Sequence, residues 1–503
     1  MLDRRTRCTV VALVTMCLPL AASATSRCEQ VLHRLGDRLA DATCVESTDL
    51  TTANPATTPA NNSIATLPAG AFTPVTDRSV IAPDTANKTP ITKVVPGLQI
   101  NARIAGDPEG QARFLLRLPD DWNGRLVVAG ASGTRSEFNG DFAWSDYVVQ
   151  KGYAYASQNK GVLNLRITSL ASATPPNPLA CRLNPSSQVW VNFYDNDKGQ
   201  PFIRWQMFMG EAARLARRGV EARYGRGPRF TYAVGTSNGG YQVRRAVELF
   251  PELFDGGVDW EGTEVDPHAP NLLTDLPAGI LNYPDYAASG FNPSSTAAKN
   301  VRAAGYPPDI VASPTSTLWT SYWAQFWEVT QCQWQKRLDP TYDTYGAGTG
   351  TYNYVARLSE SDVGAQVASF STSGRIQRPL ITVAGTMDGL LPIDHHARAY
   401  ARKVEAALED RDGDDDRGED QGHGRHRPDY RLYEVQNGNH IETFKLTFPQ
   451  LEFIEPHAQR AFDLLVARVE HGQPLPASQC IPRGGAISGS PAQPGHCPSL
   501  LAP

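Results

Sequence analysis

The stretch that decides the fold is FTYAVGTSNGGYQVRRAVELF, residues 230–250. Its first six residues, Phe230 to Gly235, form a short apolar run typical of a buried strand, and residues 240–250 repeat apolar positions three and four apart, as a helix does. Between them, GTSNG (residues 235–239) fits the GxSxG pattern, in which small residues flank a serine on a tight strand-to-helix turn. This context predicts that Ser237 is a nucleophile. A glycine-rich turn with an inert serine is the alternative.

Strand-like runs recur on both sides of this turn, with helix-like stretches between them, such as residues 202–224. Strands alternating with helices indicate an α/β fold with a mostly parallel sheet covered on both faces. The further strands are predicted in GLQINARI (97–104), ARFLLRLP (112–119), RLVVAG (125–130), YAYAS (153–157), GGVDW (256–260), LITVAG (380–385) and YRLYEVQ (430–436).

A nucleophilic serine needs a histidine base and a carboxylate that orients it, and after a GxSxG turn they follow in the order Ser, acid, His. Asp388 follows the strand LITVAG, and His440 follows the strand YRLYEVQ. We therefore predict Ser237, Asp388 and His440 as a catalytic triad. The alternatives are Asp394 as the acid and His395, His396 or His457 as the base, on or beside predicted helices; His268 lies in an insertion.

Such a triad also needs amide donors for the oxyanion. One is predicted to be the backbone N–H of Asn238, at the start of the helix after Ser237. The second should come from the small, glycine-containing loop after RLVVAG, with Ala131 and Ser132 as candidates. The alternative is that this loop is an ordinary turn.

Composition limits the classes of function. The chain has 503 residues, 41% of them apolar, and a formal net charge of −5, without a cluster of basic residues. A buried core is expected and a nucleic-acid partner is not, because binding to phosphate backbones depends on clustered Lys and Arg. The expected partner is a small-molecule or oligomeric substrate, and no span of a membrane is expected.

The first 24 residues have the layout of a cleavable signal peptide, with Arg4, Arg5 and Arg7, an apolar run and then Ala22-Ser23-Ala24. Six of the eight cysteines lie beyond them. An even number in an exported protein favours three disulfides, with fifteen possible pairings. The favoured pairs are Cys28–Cys44, Cys181–Cys332 and Cys480–Cys497. Zinc is the alternative, but the CxxC and HxxxH spacings are absent, so no metal or other cofactor is expected.

The expected organisation is a signal peptide (1–24), an extended N-terminal segment with a local disulfide (25–94), a catalytic core (95–260 and 376–475), an aromatic-rich lid insertion (261–375), a charged loop (409–428) and a C-terminal tail with a local disulfide (476–503). The charged loop contains DRDGDDD, which invites a calcium-binding interpretation. Counting from Asp410, the sixth and twelfth positions are Asp415 and Gln421 instead of Gly and Glu, so an EF-hand loop is not supported.

Trp319, Trp323 and Trp327 recur every four residues and would form a stripe on one helix face. Packing of the insertion on the core is the favoured interpretation, since aromatic stripes are mostly packing. The alternative is an aromatic wall for the substrate, formed by Trp319 and Trp323. Trp260 and Glu261, at the end of the strand GGVDW, are also candidates for substrate binding.

These motifs resemble the α/β-hydrolase superfamily over roughly residues 95–475, and within it the secreted esterases of the tannase and feruloyl esterase group. That group carries its serine at a GCSxGG turn and a large lid between serine and acid; here the turn is GTSNGG. The group also joins a Cys before the serine to a Cys after the histidine, where this sequence has Thr236 and Ile441. The resemblance therefore implies a distant branch or a separate extracellular family, such as hydroxyalkanoate oligomer hydrolases.

The predicted function is an exported serine esterase, acting on phenolic esters or on hydroxyalkanoate oligomers. A serine peptidase of the prolyl-oligopeptidase type is one alternative, because GTSNGGY also resembles the turn of those enzymes. A non-catalytic binding protein on a hydrolase scaffold is the other. Neither the exact substrate nor the oligomeric state follows from the sequence.

Overall fold

The structure is a computed structural model, which describes residues 26–57, 89–133, 135–163, 165–167, 181–184, 186–192, 201–342, 349–415 and 428–503. The predicted signal peptide lies outside the described residues, as does much of the N-terminal segment.

The described residues contain fifteen strands. In chain order they are β1 (Leu39–Ser47), β2 (Gly97–Ile104), β3 (Arg113–Pro119), β4 (Arg125–Ala129), β5 (Ala154–Gln158), β6 (Leu165–Ile167), β7 (Cys181–Arg182), β8 (Trp190–Asn192), β9 (Phe230–Thr236), β10 (Gly256–Trp260), β11 (Val311–Ser313), β12 (Ser316–Thr317), β13 (Leu380–Gly385), β14 (Tyr430–Val435) and β15 (Gln479–Ile481).

Ten of these strands form one sheet in the order β1-β2-β3-β5-β4-β9-β10-β13-β14-β15. The first three pair antiparallel, β3 pairs antiparallel with β5, and every pair from β5 to β15 is parallel. This is the topology of the α/β-hydrolase fold, so the predicted fold class is confirmed. The remaining described strands form a small three-stranded sheet, β6-β8-β7, and the two-stranded pair β11-β12.

Helices cover both faces of the large sheet, because each presents one apolar stripe to it. On one face pack helices Arg27–Leu35, Ile203–Tyr224, Asn238–Leu249 and Ala397–Asp415. On the other face pack the short helix Asp146–Val149, which follows a π-helical turn at Asp141–Ser145, and helix Glu455–His471.

The segment between β10 and β13 is mostly helical and packs in an apolar cluster rich in Trp and Tyr, to which residues outside the segment, such as Phe202, Trp205 and Tyr241, also belong. Its helices are Leu272–Ala288, Thr296–Ala303, Leu318–Tyr322, Glu328–Leu338, Tyr354–Glu360 and Val363–Ser369, and a π-helical turn, Trp323–Trp327, joins the third to the fourth.

The described part of the chain holds three disulfides, Cys28–Cys44, Cys181–Cys332 and Cys480–Cys497, and they are the three favoured from the sequence. Among the described residues, no helix combines the length and the apolarity needed to cross a bilayer.

Three boundaries differ from the expectation. The segment 25–94 does not begin extended: residues 27–35 form a helix, and β1 pairs with β2 at the sheet edge. The tail 476–503 contributes β15 to the opposite edge. The tract 409–428 is not all loop, because helix Ala397–Asp415 continues into it. A helix that has already formed gains one hydrogen bond for each residue added, so charged residues can extend it.

Candidate active site

Ser237 occupies the turn between β9 and helix Asn238–Leu249. Its backbone has φ 59° and ψ −122°, which is strained for a residue with a side chain. Strand and helix approach so closely here that a Cβ atom on Gly235 would lie 2.4 Å from the carbonyl oxygen of Gly239. The glycines of the motif are therefore required by this close approach.

Asp388 and His440 follow neighbouring strands. β13 and β14 run parallel with Gly385 opposite Val435, so the turns after them lie side by side. The N–H of Met387 donates to the carbonyl oxygen of Gly438 at 2.7 Å, which joins the two turns directly.

The three predicted triad residues form one hydrogen-bonded chain. His440 Nε2 lies 3.0 Å from Ser237 Oγ, and His440 Nδ1 lies 2.7 Å from Asp388 Oδ2. The other oxygen of Asp388 accepts from the N–H groups of Leu390 and Leu391, at 2.8 and 2.7 Å. All three side chains are buried, with Ser237 7% and His440 9% exposed. The geometry is that of a serine nucleophile with its base and acid.

A cavity of about 270 Å³ opens above Ser237 and His440. Aromatic side chains line it, and so do the carboxyl groups of Glu442 and Glu455. The aromatic members are Phe142, Trp144, Trp260, Phe326 and Phe444.

Two π-helical turns supply part of this lining. The turn Asp141–Ser145 contributes Phe142 and Trp144, and the turn Trp323–Trp327 contributes Phe326. π-turns are rare and often occur at functional sites.

The substrate-binding candidates separate into two groups. Trp260 lines the cavity, whereas Trp319 and Trp323 do not. Trp319 is buried and donates its indole N–H to the carbonyl oxygen of Pro307, and Trp323 stacks on Tyr283 with ring centroids 4.9 Å apart. These contacts fit the favoured interpretation, packing of the insertion, and not the alternative of a substrate wall formed by Trp319 and Trp323. The hydrogen bonds of a π-turn join residues five apart, so the turn breaks the four-residue stripe and presents Phe326 instead.

Glu261 is not a cavity wall but lies behind His440. It directly follows β10 with φ 52° and is 3% exposed. Its Oε2 lies 3.6 Å from His440 Nδ1. Burial and the neighbouring charge of Asp388 raise the pKa of Glu261 well above its usual range. Glu261, Asp388 and His440 place possible ligand atoms within 4.8 Å of one another, but His440 and Asp388 already use theirs in the hydrogen bond between them.

The three residues predicted to supply oxyanion-hole amides differ in whether they line the cavity and in what their amides contact. Asn238 lines the cavity as the first residue of its helix. Ala131 does not line it, and its N–H donates to Gln242 Oε1 at 3.0 Å. Ser132 does line the cavity, but its N–H donates to Asn139 Oδ1 at 2.7 Å. Both loop amides therefore donate to side-chain acceptors. This argues against Ala131 as an oxyanion donor, and the Ser132 amide could serve only by leaving Asn139 Oδ1.

A buried lysine shapes this loop from below. Lys160 Nζ donates to the carbonyl oxygens of Ala131 at 3.2 Å and Gly133 at 2.9 Å, and also to that of Ser132. Gly133 lines the cavity beside Ser132. No sequence motif marked Lys160; a lone Lys after the strand YAYAS is the only trace.

Sequence reasoning also missed two supports of the triad turns. The hydroxyl of Tyr322, in the insertion, donates to Asn439 Oδ1 at 2.7 Å, beside His440. Near the C-terminus, Ala502 exchanges two hydrogen bonds with the side chain of Asn437, at 2.7 and 2.9 Å. Neither contact has a local signal, because each joins residues more than 60 positions apart.

The alternative acids and bases contact other partners. Asp394 pairs with Arg398 at 3.0 Å. His395 and His396 both contact the buried carboxylate of Asp275, at 2.9 and 3.1 Å. His457 lies in helix Glu455–His471, where burial lowers its pKa.

Comparisons with known proteins match part of this chain to ester hydrolases. Residues 355–502 match a family model described as 3HB-oligomer hydrolase, a stretch that contains Asp388 and His440. Over 160 residues, 30% of this chain, the sequence is 31% identical to the D-(-)-3-hydroxybutyrate oligomer hydrolase of Burkholderia thailandensis. The match spans only 20% of that relative's length.

Among solved structures, the chain is similar to feruloyl esterase B from Aspergillus oryzae, with a TM-score of 0.48, 13% identity and coverage of 86% of this chain and 87% of the other. It is also similar to tannin acyl hydrolase from Aspergillus niger, with a TM-score of 0.39, 14% identity and coverage of 78% and 81%. The sequence match is thus to one of the two kinds of hydrolase named from the sequence, the hydroxyalkanoate oligomer hydrolases.

Proposed function

We propose that the chain is a carboxylic ester hydrolase that works through an acyl-enzyme, with Ser237 as nucleophile, His440 as general base and Asp388 as the acid that orients His440. The observation that supports it is the hydrogen-bonded chain from Ser237 Oγ through His440 to Asp388, at the floor of the cavity.

The chemistry follows from these contacts. Ser237 Oγ attacks the ester carbonyl while its proton passes to His440 Nε2, and Asp388 stabilises the imidazolium through Nδ1–H. His440 then returns the proton to the leaving alcohol, which leaves an acyl group on Ser237. A water molecule, deprotonated by His440, attacks the acyl carbonyl and releases the acid.

The oxyanion needs donors on the side of the serine away from His440. We propose the N–H of Asn238, at the positive end of helix Asn238–Leu249. The second donor is proposed from the loop 131–133, whose Ser132 amide would exchange Asn139 Oδ1 for the substrate oxyanion.

The proposed substrates are oligomers of hydroxyalkanoates. The match of residues 355–502 to the hydroxybutyrate oligomer hydrolase family supports this class. Phenolic esters are the second candidate, because five aromatic side chains line the cavity. The segment 261–375 is proposed as a lid, which contributes Phe326 to the lining of the cavity.

Export is part of the proposal. Three disulfides fit an oxidising compartment. A signal peptide over residues 1–24 predicts that the exported protein starts at Thr25, which its intact mass would reveal.

The test compares the purified protein with Ser237→Ala on hydroxybutyrate oligomers, methyl ferulate, methyl gallate, nitrophenyl esters and a peptide amide. Loss of ester hydrolysis by a factor of about 10⁴ or more is expected in Ser237→Ala, because removal of a triad serine leaves only residual catalysis. Ser371→Ala, outside the cavity, is the matched control and should keep full activity.

Labelling with a fluorophosphonate probe separates the alternatives. Labelling with ester cleavage supports the proposal. Cleavage of the amide alone would indicate a peptidase, and absence of both labelling and turnover would indicate a binding protein.

A further inference from the structure

Glu261 presents a second buried carboxyl group to the histidine of the proposed triad. Its Oε1 accepts the N–H of Gly385 at 3.0 Å. Its Oε2 accepts no hydrogen bond of good geometry among the described residues and lies 3.6 Å from His440 Nδ1. The neighbouring Trp260 side chain also acts on this carboxyl group and favours its charged form, against the larger effect of burial. The backbone holds this side chain in place with φ 52°, a conformation that residues with a side chain adopt rarely.

Burying an unpaired polar atom is costly, and buried polar groups are almost always satisfied. An oxygen without a hydrogen bond of good geometry, aimed at a reactive nitrogen, is therefore an arrangement that packing alone does not require. A leucine or methionine would fill the same space without that cost.

The charges around Glu261 determine its state. Burial and Asp388 raise its pKa well above the usual range, and Glu442, in the turn after His440, acts in the same direction. Tyr322 faces the same cluster from the insertion, and burial beside Asp388 and Glu261 raises its pKa as well. Burial and the nearby Asp388 therefore favour the neutral form of Glu261.

We propose that Glu261 is a positioning residue for His440, a reserve carboxyl that accepts Nδ1–H when Asp388 cannot. This inference rests on the proposed function, because it assigns Glu261 a role through the proposed base. The step is small: Oε2 must approach Nδ1 by about 0.8 Å, from 3.6 Å to the roughly 2.8 Å of a charge-assisted hydrogen bond. When Asp388 is absent, Glu261 releases its proton to solvent and becomes the carboxylate partner.

The experiment is a double-mutant cycle with Asp388→Ala, Glu261→Gln and both together, measured as kcat/KM over a range of pH. Gln at 261 keeps the shape and can still accept from Gly385, but it cannot become a carboxylate. We expect Asp388→Ala to lose about 10²-fold, and the double variant about 10⁴-fold, as a triad without its acid does. Glu261→Gln alone should lose about threefold, so the two effects are far from additive.

Two further variants sharpen the cycle. Asp388→Asn should be less active than Asp388→Ala, because its amide donates to Nδ1 and fixes the wrong tautomer. Glu261→Asp in the Asp388→Ala background keeps the charge but shortens the reach, and should match the double variant. In Asp388→Ala alone, activity should rise with pH as Glu261 ionises, and this limb should vanish in the double variant.

A measurement without substrate keeps the inference independent of the reaction. We expect NMR titration to give His440 a pKa at least about one unit higher in Asp388→Ala than in the double variant, because a carboxylate stabilises the imidazolium. Equal pKa values, or equal activities of the Asp388→Ala and double variants, would overturn the role of Glu261. Such an outcome would not overturn the proposed function, provided that the wild-type protein cleaves esters in a Ser237-dependent way.

Discussion

Ser237 combines a strained backbone with a turn that tolerates no extra atom. Its φ of 59° persists because neighbouring groups fix the turn on both sides. A Cβ on Gly239 would lie 2.7 Å from the carbonyl oxygen of Gly130, at the start of the loop proposed for the oxyanion hole. The nucleophile and this loop are therefore set by one backbone contact.

This contact predicts the effect of Gly239→Ala. The added methyl group must displace Gly130 or the helix start, so we expect a loss of about 1–3 kcal/mol in the free energy of unfolding. Ester hydrolysis should fall further than stability explains, since the loop moves with Gly130. Urea unfolding and kcat measured at saturating substrate would check both.

The matched control is Gly227→Ala, at an exposed position where a Cβ meets nothing within 4 Å. It should change stability by less than about 0.5 kcal/mol. Equal effects of the two substitutions would contradict the argument from close approach.

Individual site residues could be predicted from the sequence where they follow a strand. Ser237, Asp388 and His440 each follow an apolar run, and the structure brings them together; their catalytic roles remain a prediction. Ala131 could not be assigned, because Gln242, 111 positions away, takes its amide. The place of Phe326 in the cavity lining was not predicted, because no residue pattern indicates a π-turn.

Among the elements, helix Leu272–Ala288 is joined to the turn before helix Ala397–Asp415. The buried carboxylate of Asp275 contacts His395 Nδ1 at 2.9 Å and His396 Nε2 at 3.1 Å. These two contacts lower the pKa of Asp275 against the effect of its burial, and the hydrogen bond with Asp275 raises the pKa of His395. The proposed lid is thus attached to the core through an ionisable link.

This link predicts a pH-dependent stability. The pKa of His395 is raised above 6.5, so its contribution is fully present below pH 6.5 and is lost as pH rises through the raised value. The contribution of Asp275 is present above its usual pKa of 3.8 and is lost as pH falls through its lowered value. Both contributions are therefore complete together between pH 3.8 and 6.5.

His395→Gln removes the titrating partner, while Asp394 and Arg402, the other charged groups near it, remain. The difference in unfolding free energy from wild type should be larger at pH 6 than at about pH 9. Urea unfolding at both pH values measures it. A difference that is the same at both pH values would refute the link.

The elements themselves were predictable where periodicity was strong. The predicted strands all occur in the large sheet. Those of its parallel part were recognisable because buried parallel strands are continuous apolar runs, whereas β2 and β3 belong to the antiparallel part. The helix Arg27–Leu35 was missed although its signal is local: Ser26 and Glu29 form a capping box. The end of helix Ala397–Asp415 was missed because composition does not distinguish a charged helix end from a charged loop.

Across the whole molecule, the three disulfides act over very different distances. Cys181–Cys332 joins the small sheet to helix Glu328–Leu338 across 151 residues of sequence. Cys28–Cys44 and Cys480–Cys497 close loops of only 16 and 17 residues. The long bridge therefore restricts the unfolded chain most.

Loop-closure entropy gives the size of this difference. Replacing both Cys181 and Cys332 by Ala should cost about 2 kcal/mol more than replacing Cys28 and Cys44, because closing the longer loop removes more entropy. Unfolding midpoints of the two double variants in urea, under oxidising conditions, make the comparison. An equal or larger loss from the short loop would show that native packing, not chain entropy, dominates.

The two short disulfides have a consequence for solubility. Cys44 lies in β1 and Cys480 in β15, the two outermost strands of the ten-stranded sheet. Unpaired strand edges are templates on which another chain can add a strand, the first step of aggregation. A disulfide on each edge strand keeps that strand paired with the sheet. Production in a reducing cytosol should therefore favour insoluble protein even where the core folds.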